Sequence, residues 1–244
     1  ASNLKELNFN LWQYCMFRRE KSLVLTDLPD KIRQVNTCEI TNRKEYMDAE
    51  RDLIMYLQKY KDADDDKIAK AMRGEVMVRI NILRQISARG KVRDVIEFVK
   101  DFRENGKKII LFCSLHEVVD QLKRYFPTAV SVTGRDSQDD KQRAVDAFQN
   151  NPKTDIIICS IKAAGVGLTL TASSNVAFVE FPWTYADCCQ CEDRAHRIGQ
   201  KDSVTCYYFL GRRTIDEKVY RIIQEKKNIA NAVTGSTADI EENI

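Results

Sequence analysis

With 244 residues, 43% of them hydrophobic and 31% charged, the chain is long enough for one large domain or two small ones and apolar enough to build a core. Its 39 basic and 36 acidic residues leave a net charge of only +3, which permits a nucleic-acid partner without demanding one and makes any basic groove a local arrangement. No apolar run reaches the length of a membrane span and no charged-then-apolar leader opens the chain. The eight cysteines, at 15, 38, 113, 159, 188, 189, 191 and 206, lack the spacing of a secreted disulfide scaffold and predict a reduced, intracellular setting.

Residues 4–20 are mixed apolar and basic, without an initial methionine, so the chain is expected to be a piece of a longer one. Residues 35–40 read as a strand, and 41–60 carry helical spacing at Tyr46, Ala49, Leu53, Tyr56 and Leu57. An acidic turn follows at 62–66. Helices are predicted at 66–87 and 91–103, the second with Val92, Val95, Ile96 and Val99 on one face. From 107 the rhythm becomes strand then helix: strands at 108–113, 129–133, 155–160, 176–181 and 204–210, helices at 117–125, 137–149, 185–198 and 214–228. That alternation predicts an α/β fold, an open, mostly parallel sheet of RecA type with helices on both faces and an N-terminal helical insertion. The expected divisions are a linker at 1–34, a strand and helical region at 35–106, the main lobe at 107–228 and a polar tail at 229–244.

In such a sheet, ligands bind beyond the carboxyl ends of the strands. The loops there hold Ser114, the Thr133-Gly134-Arg135 turn, the run from Ser160 through Lys162, Gly165, Gly167 and Thr169, and Phe181-Pro182-Trp183. Glycines two apart let backbone amides approach a phosphate, although taken alone a tight turn explains them better. Trp183 is expected to be a buried packing anchor that fixes the start of the next helix. On the predicted helix 185–198, Arg194 and Arg197 are three apart, so both guanidinium groups leave one face and can converge on one anion. A solvated pair of surface charges is the plainer alternative. Cys188, Cys189, Cys191 and His196 lie on that same helix, where four ligands cannot surround a zinc ion. His196 is expected to brace the arginines.

Gln190-x-x-Asp193-Arg194-x-His196-Arg197-Ile198-Gly199-Gln200 resembles the sixth motif of the SWI/SNF-type DNA translocase ATPases of helicase superfamily two. The run from Ser160 to Thr171 is similar to the fifth motif, with Ala164 in place of glycine and Thr169 in place of asparagine. Phe112-Cys113-Ser114 resembles the fourth, and Phe17-Arg18-Arg19-x-Lys21 with Leu28-Pro29-x-Lys31 resembles the segment that joins the two motor lobes. The resemblance implies the C-terminal motor lobe, with the compact spacing of the annealing-helicase branch. It implies Arg194 and Arg197 as catalytic arginine fingers, Gln190, Gly165 and Gly167 at the nucleotide, and Ser114, Lys162, Ser160 and Thr169 on DNA. The implied cofactors are ATP and Mg²⁺, held mainly by an N-terminal ATPase lobe, and the implied partner is double-stranded DNA. A strand-separating helicase lobe and a non-catalytic binding module of the same fold are the alternatives. The implied setting is the nucleus in a eukaryote, or the cytoplasm and nucleoid in a bacterium. No Gly-x-x-x-x-Gly-Lys-Ser/Thr loop occurs in the 244 residues, so this chain by itself is expected not to hydrolyse ATP.

Overall fold

Two short aliphatic runs form the centre of the molecule. In the computed structural model, which describes residues 3–17, 21–53, 55–56, 75–163 and 167–234, they are β2 (Ile109–Phe112) and β4 (Ile156–Cys159), buried at every residue. Strands covered on both faces need such unbroken apolar runs. With β1 (Lys31–Cys38), β3 (Val130–Val132), β5 (Asn175–Phe178) and β6 (Val204–Gly211) they make one sheet of order β1-β6-β5-β2-β4-β3. All neighbouring strands run parallel.

Alternation along the strands divides the core in two. Ile110, Phe112, Ile157 and Phe178 face one cluster, which includes Phe148 of α6 (Gln138–Asn150), Cys188 of α7 (Tyr185–Glu192) and Ile223 of α8 (Ile215–Thr234). Ile109, Leu111, Ile156 and Ile158 face the other, against Val92, Val95 and Val99 of α4 (Glu75–Glu104) and Leu122 of α5 (His116–Tyr125). A third cluster packs Tyr46 and Ala49 of α3 (Arg43–Arg51) on Leu83 and Ile86 of α4. No helix among the described residues is long and apolar enough to cross a membrane.

The first strand starts at Lys31, earlier than its apolar pattern implies, because its alternate residues are only half covered at the sheet edge. The two helices expected at 66–87 and 91–103 are, where described, one continuous helix, α4. Gly90 does not break it. A Cβ there would stand 2.2 Å from Asn42 Oδ1 and 2.6 Å from Ile40 Cβ, so the glycine lets α4 press against the chain after β1. The acidic turn expected at 62–66 lies outside the described residues. At the far end α8 continues to Thr234, where α1 (Leu4–Asn10) packs on it and Asn8 Nδ2 donates to Val233 O at 2.9 Å.

A buried polar knot fixes where α8 leaves the sheet. Asp216 Oδ2 accepts from Lys91 Nζ at 2.6 Å, Ser87 Oγ at 2.7 Å and Gly211 N at 3.0 Å, while Lys91 Nζ also donates to Phe209 O at 2.9 Å. Three elements, α4, β6 and α8, thereby share one ion pair.

Candidate functional site

The loops after β2, β4 and β5 meet on one rim. Ser114 is exposed there, and its backbone is held from across the sheet: Glu180 Oε1 accepts from Ser114 N at 3.1 Å and Leu115 N at 2.7 Å. The Glu180 carboxylate thus supplies the N-terminal cap that Leu115 cannot give α5. Ser114, Lys162 and Gln190 line one cleft of about 490 Å³ with Asn81 and Arg84 of α4. The Arg84 guanidinium lies 3.9 Å from the Trp183 ring centroid and donates to Phe181 O. Trp183 is therefore a half-exposed cover on Arg84 rather than the expected buried anchor. The start of α7 is set instead by Thr184, whose Oγ1 accepts from Asp187 N at 3.1 Å.

In the loop after β4, Lys162 is exposed and Thr169 half-buried. Ser160 is 8% exposed and its Oγ accepts from Ala163 N at 3.2 Å, which turns the chain and leaves the hydroxyl proton to donate elsewhere. Gly165, with Ala164, lies outside the described residues. Gly167 has φ +45°, a left-handed conformation that only glycine adopts without strain. Beyond it, Leu170 N donates to Arg194 O at 2.9 Å, which ties this loop to the arginine segment.

The arginines are not on a helix. α7 ends at Glu192, and residues 193–199 form consecutive turns closed by Gly199 at φ +99°. The helical pattern is overridden by tertiary pins. Gln200 Nε2 donates to Ser173 O at 3.0 Å and Ala195 O at 3.2 Å, drawing that carbonyl out of a helical ladder. The two arginines nevertheless open on one cavity of about 660 Å³, together with Gln190, Asp187, Cys189 and Lys21. Arg197 is exposed and Arg194 is 9% exposed. Burial first, and then the charge of Arg197, press the Arg194 guanidinium below its ordinary value. An anion seated between them would relieve that repulsion, so the donor set fits a phosphate.

His196 does not brace the arginines directly. Its Nε2–H donates to Pro29 O at 2.7 Å, and burial, with Lys31 and Lys21 nearby, holds the imidazole below its usual pKa. Cys188 and Cys191 are buried and their thiols pushed up by burial, Cys191 to about 12. Among the described residues no group of three or more His, Cys, Asp or Glu side chains could hold a metal ion.

Sequence reasoning missed the group beneath the arginine turn. Glu192 is fully buried and accepts two hydrogen bonds of 2.7 Å from Arg33, with Lys31 Nζ at 3.0 Å and Tyr208 Oη at 2.6 Å. Burial pushes its carboxyl up, but the Arg33 hydrogen bonds and the charges of Lys31 and Arg33 outweigh that, leaving it below the usual carboxylate value. One signal was available: Lys31 and Arg33 are two apart on a strand and so share a face.

The helicase conserved C-terminal domain family matches residues 90–199, which run from α4 through the loop after β4 to the end of the arginine turn. The chain is 30% identical to the SWI/SNF-related matrix-associated actin-dependent regulator of chromatin subfamily A-like protein 1 of Xenopus tropicalis, over 99% of this chain and 25% of that protein. It is 32% identical to the human DNA annealing helicase and endonuclease ZRANB3, over 97% of this chain and 21% of that one. The chain is a helicase C-terminal lobe of the SWI/SNF type. Its fold agrees. The C-terminal part of the Fun30 ATPase domain superposes with a TM-score of 0.68 at 19% identity, covering 80% of this chain and 90% of that one. The Sulfolobus solfataricus SWI2/SNF2 ATPase core, solved in complex with double-stranded DNA, gives 0.63 at 22% identity over 92% and 50%. The helicase lobe spans about a quarter of the curated relatives it matches, 25% and 21% of their lengths.

Proposed function

We propose that this helicase lobe is the second half of an ATP-driven double-stranded-DNA translocase and works against an N-terminal ATPase lobe of the same protein, wherever in the cell its DNA lies. Bound ATP with its Mg²⁺ supplies the phosphoryl group, and the other lobe holds most of it. Arg194 and Arg197 act as catalytic arginine fingers that place positive charge at the transferred oxygens. Gln190 hydrogen-bonds the same group. Ser114 and Lys162 grip the DNA backbone across the neighbouring cleft, with the 165–167 loop between the two tasks. Ser160 holds that loop through Ala163 N and offers its remaining hydroxyl proton to the same DNA backbone.

The observation that carries the reading is the cavity shared by Gln190, Arg194 and Arg197. The Leu170 to Arg194 hydrogen bond at 2.9 Å adds to it, because a movement of the DNA-side loop then becomes a movement of the arginine turn. Backbone contacts of this kind make binding independent of sequence and sensitive to salt. The spacing of the motifs, and ZRANB3 among the relatives, favour the annealing-helicase branch.

The test is DNA-stimulated ATP turnover and third-strand displacement by the full-length protein, set beside the 244-residue chain alone. The full-length protein is expected to do both and the lone chain neither. Turnover by the lone chain, or a full-length protein that binds DNA without stimulated hydrolysis, would overturn the proposal.

A further inference from the structure

The edge strand β1 and the chain leading into it make a dense set of contacts with the arginine turn and with nothing else so charged. Arg33 forms a two-pronged pair with Glu192, both bonds 2.7 Å, and Lys31 Nζ reaches Glu192 at 3.0 Å and Asp193 at 3.3 Å. Lys21 Nζ lies 2.9 Å from Asp193 Oδ2 and donates to His196 O at 3.0 Å. Pro29 O accepts from His196 Nε2 at 2.7 Å. Every residue from Glu192 to Arg197 is thus either gripped by the 21–33 strap or adjacent to one that is.

We propose that the strap positions the arginine pair, with Arg33 as the principal positioning residue, so that a displacement of the chain entering β1 moves Arg194 and Arg197 out of reach of the nucleotide. This rests on the proposed role of those arginines. β1 pairs with β6 on one side only, so whatever pulls on the chain ahead of it meets no second neighbouring strand. Glu192 is two residues before Arg194 and has no exposed surface, so it cannot follow Arg33 without carrying the turn along. The turn keeps local backbone bonds, among them Asp193 N to Cys189 O at 2.9 Å and His196 N to Glu192 O at 3.0 Å, but it is no longer part of a helix that would fix its direction. The local bonds shape the turn, and the strap side chains set where it sits against the sheet. Arg33 and Lys31 do not line the cavity on which Arg194 and Arg197 open, although Lys21 does, so the effect of those two on turnover acts through position and not through contact with substrate.

The experiment uses the intact protein with saturating DNA and separates kcat from KM for ATP. Arg33→Met is expected to lower kcat about 10- to 100-fold, the cost of displacing a catalytic group by about an ångström, and to leave KM for ATP within about twofold. Arg33→Lys should recover part of the loss. Lys31→Met removes the contacts to Glu192 at 3.0 Å and Asp193 at 3.3 Å from a side chain outside that cavity and leaves the Arg33 to Glu192 pair in place. It should lower kcat about two- to fivefold with KM for ATP within about twofold, and it decides the matter if Arg33→Met does not fold. A kcat within twofold of the parent in the folded variants, or a loss confined to KM, would overturn the proposal. Arg194→Ala and Arg197→Ala run in parallel separate the two ideas. If they abolish turnover and Arg33→Met leaves kcat within twofold of the parent, only the strap falls; if they too leave turnover intact, the proposed function falls with it.

Discussion

Lys91→Met should be among the most damaging single changes away from the rim. Lys91 is 1% exposed and Asp216 3%, and their 2.6 Å contact is the charged bond of the knot joining α4, β6 and α8. Methionine fills the volume of the aliphatic stem but leaves a buried carboxylate facing only two neutral donors, Ser87 Oγ at 2.7 Å and Gly211 N at 3.0 Å. Breaking a buried pair from one side costs about 3–5 kcal/mol, and the two surviving donors place this case in the lower part of that range, about 3–4 kcal/mol. Adding Asp216→Asn removes the stranded charge, while the amide oxygen still accepts from Ser87 and Gly211. The double variant should therefore recover much of the loss, to about 1–2 kcal/mol below the parent. Urea unfolding of the 244-residue chain, with all four members of the cycle compared at one pH, gives these differences directly. A loss under about 1 kcal/mol for Lys91→Met, or a double variant as unstable as the sum of the singles, would refute the reasoning.

Gly90→Ala should destabilise by about 1–3 kcal/mol despite alanine's better helix propensity, because the new methyl meets Ile40 Cβ at 2.6 Å; a stabilised variant in the same unfolding assay would contradict the packing role. Lys162→Ala in the full-length protein should reduce the slope of log affinity against log salt by about 0.9, one phosphate contact, with no change in sequence preference; an unaltered slope would remove Lys162 from the DNA path. The imidazole of His196, which faces Lys21, Lys31 and Asp193, has a folded pKa below its ordinary 6.5. As pH falls the unfolded chain takes up the proton first, so the stability attributable to His196 is intact above 6.5 and declines as pH drops below it. Comparing the parent with His196→Gln in unfolding across that range should show the gap narrowing on the acid side; a gap that widens would reverse the sign.

Much of the sheet was legible because its strands are short aliphatic runs separated by polar helices, and such runs have few alternatives once the chain alternates regularly. The rim followed from topology alone, since parallel strands bring Ser114, Lys162 and Phe181 to one edge. Local periodicity misled at two places. Residues 185–198 carry a helical pattern to their end, but Gln200 and Glu192 hold the last turns by contacts invisible to spacing. The break expected between 87 and 91 is absent, and Gly90 within it is a packing site for a strand-to-helix segment 49 residues earlier. The Arg33 to Glu192 pair spans 159 residues, so no window along the chain could join them. Ser160 shows what motif transfer leaves out: the pattern names the residue but not the bond from Ala163 N by which its hydroxyl also shapes the loop.

The central claim is that Arg194 and Arg197 act on the nucleotide and not on the fold. Single-turnover ATP hydrolysis by the intact protein carrying Arg194→Ala and Arg197→Ala, with ATP and DNA affinities measured separately, tests it most directly. The account predicts a rate lower by about 10³-fold or more with both affinities within several-fold of the parent. Hydrolysis at the parent rate in the folded variant would contradict it.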